Sequence, residues 1–233
     1  MQPVMLITGT RKGIGRFLVD RYVARGYVVA GCSREPFEGA APENYHHYCV
    51  DVTDEPHVVE MVRDVSKRFG GIAALINNAG VAAMNHLLLT PVATIERIFR
   101  TNVFGTFIVM REVAKVMSSA RHGRIVNFAT VATPLNLEGE ASYAASKAAV
   151  ESLTRVAARE LAPFQITVNA VGPTPVLTDL IRNVPKQKMD ALIAAQSIRR
   201  MGEYRDVANV IDFFIAADSD FVTGQTLYLG GIN

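Results

Sequence analysis

The chain has 233 residues, 49% of them hydrophobic, and a formal net charge of +2. That length and apolar content suit one α/β domain, or two small ones, with a sizeable core. The near-balanced charge, without a long basic run, argues against nucleic acid or an anionic membrane surface as partner.

Strand-like and helix-like segments alternate along the chain. The N-terminal residues run straight into an apolar strand, Val4–Thr8, with no basic region or small-residue cleavage site, so no secretory signal is expected. No apolar stretch is long enough to span a bilayer. Both features lead to the expectation of a cytoplasmic protein. The first strand ends in Thr8-Gly9-Thr10-Arg11-Lys12-Gly13-Ile14-Gly15 and opens into a helix over 15–25. Gly9 permits a tight turn, Gly13 lets backbone approach a pyrophosphate, and Gly15 lets the helix pack close to the strand. The helix N-terminus offers free N–H groups to phosphates. The spacing is GxxxGxG rather than the common GxGxxG.

A second strand over 28–32 leads into Ser33 and Arg34. An acidic residue after this strand holds a ribose 2′-hydroxyl, whereas a nearby arginine suits a 2′-phosphate. Arg34, Arg11 and Lys12 favour NADP(H). Glu35, one position later, keeps NAD(H) open. Two cysteines, Cys32 and Cys49, sit in apolar runs and read as small core residues of a reducing compartment. Two thiols alone do not build a structural zinc site.

A strand over 47–50 precedes a helix over 55–68 capped by Asp54. Strand Ala74–Asn77 follows. A helix over 91–100 has Thr90 as cap and Pro91 in first position. Then come a helix over 103–118, a strand over 124–128, a helix over 142–162 and a strand over 167–170. Segment 173–197 begins with prolines and continues weakly amphipathic; it reads as a substrate lid. A helix over 205–216 and a strand over 226–229 close the chain. Short strands that are apolar on both faces, alternating with helices, predict a three-layer α/β, doubly wound, Rossmann-like parallel sheet in a single domain. Histidines 46, 47, 57, 86 and 122 have no metal-ligand spacing, so no metal is expected.

Several spaced motifs resemble the short-chain dehydrogenase/reductase family over essentially the whole chain. Thr8–Gly15 matches its TGxxxGIG turn, Asp51-Val52 its acidic residue near the adenine, and Asn77-Asn78-Ala79-Gly80 its NNAG motif. Asn102 matches its active-site asparagine and Tyr143-Ala144-Ala145-Ser146-Lys147 its YxASK. Gly172-Pro173 with Val176-Leu177-Thr178 resembles PGxxxT, and Val222-Thr223-Gly224-Gln225 the terminal VTGQ. Reductases of 3-oxoacyl thioesters are among the similar members. Two departures stand out: Thr130 replaces the family's serine, and Thr174 replaces the glycine after the PG proline.

The resemblance implies an oxidoreductase that interconverts a carbonyl and a secondary alcohol. Tyr143 would donate the proton. Lys147, at i+4 on the same helix face, would lower its pKa and hold a ribose hydroxyl. Thr130 would bond the substrate oxygen with a serine-like hydroxyl whose extra methyl narrows the pocket. Asn102 would tie a water chain to the lysine. Pro173, Thr174 and Val176 would back the nicotinamide and Thr178 would bond its carboxamide. The substrate pocket is expected among Met84, Leu135, Asn136, Leu137, Leu180 and Ile181, with Arg182 and Lys186 as the nearest cations. Two rival readings remain at this level: an NAD-dependent dehydrogenase of a sugar or cyclic alcohol, and a catalytically weak nucleotide-binding regulatory or assembly protein. Excess apolar surface on the helices over 103–118 and 142–162 points to a homo-oligomer, a dimer that pairs into a tetramer.

Overall fold

The computed structural model describes residues 2–37, 39–178, 181 and 184–232. Strands β1 (Val4–Thr8), β2 (Val28–Ser33), β3 (Tyr45–Cys49), β4 (Ala74–Asn77), β5 (Gly123–Phe128), β6 (Ile166–Gly172) and β7 (Thr226–Tyr228) form one parallel sheet. Its order is β3-β2-β1-β4-β5-β6-β7. Progression outward reverses between β1 and β4, the point at which such sheets open a crevice at the strands' carboxyl ends.

The period of two along each strand divides the core. Leu6, Leu75, Ile125 and Val168 face one side, against α2 (Glu55–Phe69), α4 (Thr106–Ala120) and α6 (Ala141–Leu161). Met5, Ile7, Ile76 and Val126 face the other, against α1 (Gly13–Ala24) and α8 (Tyr204–Ile215). Helix α2 has the expected Asp54 cap, whose side chain accepts from the His57 N–H, and ends on Gly70 in the left-handed region. On the opposite face α1 and α8 are tied by Asp212. It pairs with Arg21 and Arg25, each at 2.6 Å, and accepts from the Tyr22 hydroxyl at 3.0 Å.

Several boundaries differ from the sequence expectation. Strand β3 starts at Tyr45, earlier than 47, because Tyr45 and His46 pair with Val29 and Ala30 of β2. It is an edge strand and only half-buried, and Cys49 at its end is exposed, not a core residue. Helix α3 (Val92–Phe99) begins one residue later than expected, with Pro91 as its cap. The Thr90 hydroxyl instead donates back to the His86 carbonyl at 3.0 Å, closing the preceding turn. Between α3 and α4 lies a π-helical turn, Arg100–Gly105. Val52 explains the close approach there: a Cβ on Gly105 would stand 2.5 Å from its Cγ2. In segment 173–197, Val176 bridges to Gly202 and α7 (Lys186–Ala194) occupies the second half; a short α5 (Ala132–Leu135) lines the same cavity. Leu180 and Arg182 lie outside the described residues.

Candidate active site

The turn after β1 is held by the turn after β4. The Asn78 amide donates to the carbonyls of Thr8 (2.9 Å) and Gly9 (3.1 Å), and the Ala79 N–H donates to the Thr8 hydroxyl at 3.0 Å. Gly9 has φ +73° and a Cβ there would press within 3.0 Å of the Ala79 backbone. Gly15 is still more constrained, since a Cβ would stand 2.1 Å from the Gly9 carbonyl oxygen. Helix α1 starts at Gly13, with Lys12 as cap and no acidic residue in the first turn. A turn with glycine at 9 and 13, running into a helix end without a side-chain cap, fits a pyrophosphate. Ile14 lines the large cavity described below.

After β2, Arg34 is exposed and Arg11 forms an ion pair with Glu35 at 2.5 Å. Glu35 is thus drawn toward the cations of the glycine turn. The Ser33 hydroxyl donates to the Glu35 carbonyl at 2.6 Å. Behind the turn a hydrogen-bonded chain runs from Thr10 to the Tyr45 hydroxyl (2.7 Å) and on to His47 Nδ1 (2.7 Å). His47 Nε2 then lies 3.2 Å from the Ser33 hydroxyl. Asp51 accepts from the Thr53 N–H at 2.9 Å, and Val52 is buried.

Helix α6 carries Tyr143 and Lys147. Lys147 is 5% exposed and its Nζ donates to the Phe128 carbonyl at 2.8 Å. Burial drops its pKa to about 8, with the Glu151 carboxylate pulling the other way. Tyr143 lies one turn earlier on the same helix, and no shift of its phenol comes from Lys147. Burial pushes the phenol up to about 12, against a downward pull from its hydrogen bond with Thr130, while Glu140 adds to the rise. Lys147 Nζ sits 6.0 Å from the Tyr143 ring centre and donates to a backbone carbonyl, and its own lowered pKa leaves it uncharged by the pH at which the phenol ionises.

Thr130 is 8% exposed, accepts from the Ala132 N–H at 3.3 Å and borders the cavity. Asn102, fully buried in the π turn, clamps Val81 by accepting from its N–H (2.8 Å) and donating to its carbonyl (2.9 Å). Its amide also donates to Ser146, which donates to the Tyr143 carbonyl. Gly80 faces both Asn102 Oδ1 and Lys147 Nζ, at 3.3 and 3.6 Å from a Cβ position. Asn78, Ala79, Gly80, Asn102, Tyr143 and Lys147 therefore form one neighbourhood.

Thr174 lines the cavity. Its side chain points between two glycines: Oγ1 stands 2.7 Å from a Cβ position on Gly202, and Cγ2 2.7 Å from one on Gly230. Pro173, Val176 and Thr178 line the cavity, and Thr178 packs 3.5 Å from a Cβ position on Gly13.

The cavity has a volume of about 420 Å³ and joins Asn78, Gly80, Thr130, Tyr143 and Lys147 to an apolar wall. Of the expected pocket residues, Met84, Leu135, Leu137 and Ile181 line it, together with Val131, Val184, Met189 and Leu192. Asn136 turns away on a left-handed backbone and its amide donates to the Pro134 carbonyl. Lys186 is not in the wall; Lys188, two positions on, is. Sequence reasoning missed Lys188 and Glu140, whose surroundings come from distant segments. It also missed the buried ladder in which Asn77 donates to Asn127 and Asn127 to Thr154, each at 2.9 Å. The repeated asparagines of the β4 end were the signal for that ladder. Among the described residues no group of three or more His, Cys, Asp or Glu side chains is placed to hold a metal. No described helix is long and apolar enough to cross a membrane.

This fold and site define a dinucleotide-dependent oxidoreductase. The short chain dehydrogenase family pattern matches residues 3–189, and the chain belongs to that family. It is 31% identical over 240 residues to the 3-oxoacyl-[acyl-carrier-protein] reductase FabG of Staphylococcus epidermidis, covering 99% of this chain and 98% of that protein. The solved structure of ElxO with NADP bound superposes with a TM-score of 0.90 at 31% identity, covering 98% and 97% of the two chains. NAD+-bound xylitol dehydrogenase superposes equally well, with a TM-score of 0.90 at 30% identity and 98% of both chains covered. The chain is accordingly an NAD(P)-dependent oxidoreductase acting on CH–OH donors, which interconverts a carbonyl and an alcohol.

Proposed function

We propose that the protein reduces a ketone on a largely apolar substrate with NADP(H), a 3-oxoacyl thioester being the first substrate to test. The observation that carries this reading is the 420 Å³ cavity whose apolar wall ends at Tyr143, Thr130 and Lys147. When bound, the nicotinamide dinucleotide supplies the hydride. Tyr143 then gives its phenolic proton to the developing alkoxide, and the Thr130 hydroxyl orients that oxygen. Lys147 holds a ribose hydroxyl and, when charged, favours the phenolate left behind. Asn102 and Ser146 position the strand-end backbone and the first turn of α6. Arg11, Lys12 and Arg34 take the 2′-phosphate, with Ser33 beside them. Asp51 and Val52 flank the adenine. Pro173, Thr174 and Val176 support the nicotinamide, and Thr178 bonds its carboxamide. The 3-oxoacyl assignment is supported by the similarity to the 3-oxoacyl-[acyl-carrier-protein] reductases.

Segment 173–197 acts as the lid of this cavity within a single domain. We further assign the protein to the cytoplasm as a homotetramer. Phe104 in the π turn, Phe107 at the start of α4 and Val156 on α6, all exposed, support an interface between copies.

The second reading, an NAD-dependent dehydrogenase of a sugar or cyclic alcohol, is favoured by Glu35 and by the similarity to NAD+-bound xylitol dehydrogenase. Steady-state kinetics on a carbonyl and alcohol panel with both nicotinamides separates the two, with Tyr143→Phe as the blank. A strong preference for NAD(H), or turnover unaffected by Tyr143→Phe, overturns the leading reading.

A further inference from the structure

Glu140 immediately precedes α6, three positions before Tyr143, and both line the cavity. Its Oε2 is shielded from solvent and has no hydrogen-bond partner among the described residues. Native folds rarely leave a buried polar atom unanswered, because the lost hydration is not replaced. The wall around it is otherwise mostly apolar, with Met84, Leu137 and Leu192 nearby in the lining. The charged or titratable groups facing the same cavity are Lys188, Glu138, Tyr143 and Lys147.

Lys188 rests over Gly139, its Nζ 3.4 Å from a Cβ position there, yet no ion pair with Glu140 forms. We propose that Glu140 is a specificity-determining residue that accepts a hydrogen bond from a neutral donor, a hydroxyl, which the substrate carries beside its carbonyl carbon. Neutrality follows from Lys188, whose ammonium repels a second cation at the same place. Proximity to the reacting carbon follows from the spacing of Glu140 and Tyr143 across the first turn of α6. Burial pushes the Glu140 carboxyl up to about 7, with Lys188 pulling it down. A donor hydrogen-bonded to the carboxylate favours its ionised form. A hydroxy ketone, or the matching diol in the reverse direction, satisfies Glu140; a plain acyl chain leaves it bare. The inference rests on the carbonyl-reduction reading but not on the thioester.

The test compares octan-2-one with 1-hydroxyoctan-2-one, by calorimetric binding to the NADP+-loaded protein at pH 8. One charge-assisted hydrogen bond predicts about tenfold tighter binding of the hydroxy ketone to the unmutated protein. In Glu140→Leu that preference falls to about twofold or less, while octan-2-one binds at least as well as before. Equal binding of the two ketones to the unmutated protein overturns the assignment of Glu140 alone. Equal loss of both ketones in Glu140→Leu, with NADP+ still bound, assigns the residue a structural role and also overturns it. If the loaded unmutated protein binds neither ketone, the proposed reduction of apolar ketones falls, and the inference with it.

Discussion

Lys147→Met is expected to stabilise the fold at neutral pH while abolishing turnover. The lysine is buried, and its pKa falls from 10.5 to about 8. At ~1.4 kcal/mol per pH unit, that depression costs the folded state about 3 kcal/mol wherever the ammonium is charged in both states. The sign is fixed by linkage. A depressed folded pKa means relative stability is present above 10.5 and is lost as pH falls through about 8. Against this cost stands the bond from Nζ to the Phe128 carbonyl, a bond from a charged donor worth about 1.5 kcal/mol net. Methionine has similar reach and no charge, so the variant should gain roughly 1–2 kcal/mol at pH 7. The assay is urea unfolding of both proteins at pH 7 and pH 9.5. The advantage of the variant should shrink by about 2 kcal/mol between those values, as the folded lysine sheds its proton. A variant less stable than its parent at pH 7, with a difference that does not change with pH, refutes this reasoning.

Three further outcomes are expected. Gly15→Ala would force a Cβ to 2.1 Å from the Gly9 carbonyl; thermal unfolding should show a loss of about 1–3 kcal/mol or more, and NADPH fluorescence titration weaker cofactor binding. Thr130→Ala removes a hydroxyl that touches Tyr143 and the Ala132 N–H, so kcat should fall about 100-fold, whereas Thr130→Ser should stay within about tenfold of the parent; equal losses in both would remove the hydroxyl from the chemistry. Arg34→Ala should weaken NADPH about tenfold and leave NADH nearly unchanged, with parallel losses for both cofactors contradicting the assignment of the 2′-phosphate.

The sheet was readable because its central strands are buried on both faces and therefore continuously apolar, as Met5, Leu6 and Ile7 illustrate. The edge was less readable. Strand β3 is Tyr-His-His-Tyr-Cys, and its polar rings find partners in β2 and the glycine turn that no local pattern announces. The π turn was hidden for a similar reason: its residues suit an ordinary helix, and the close packing of Gly105 on Val52 exists only in the fold. At the site, the Gly9–Gly15 turn, Asn78–Gly80 and the Tyr143–Lys147 spacing are local and were all legible. The phenol's raised pKa was not, because desolvation depends on everything that surrounds the ring. Glu140 was equally silent, since its isolation is created by α7 and by the cavity wall.

Position 174 is therefore not free to drift by itself. Its methyl and hydroxyl fill the space that Gly202 and Gly230 leave, and Gly230 further sits at φ +76°. A relative with glycine at 174 can tolerate a side chain at 202, while one with threonine can not. The three positions should change together through descent, and a chimera that exchanges the C-terminal segment without residue 174 inherits either a clash or a void beneath the cavity floor.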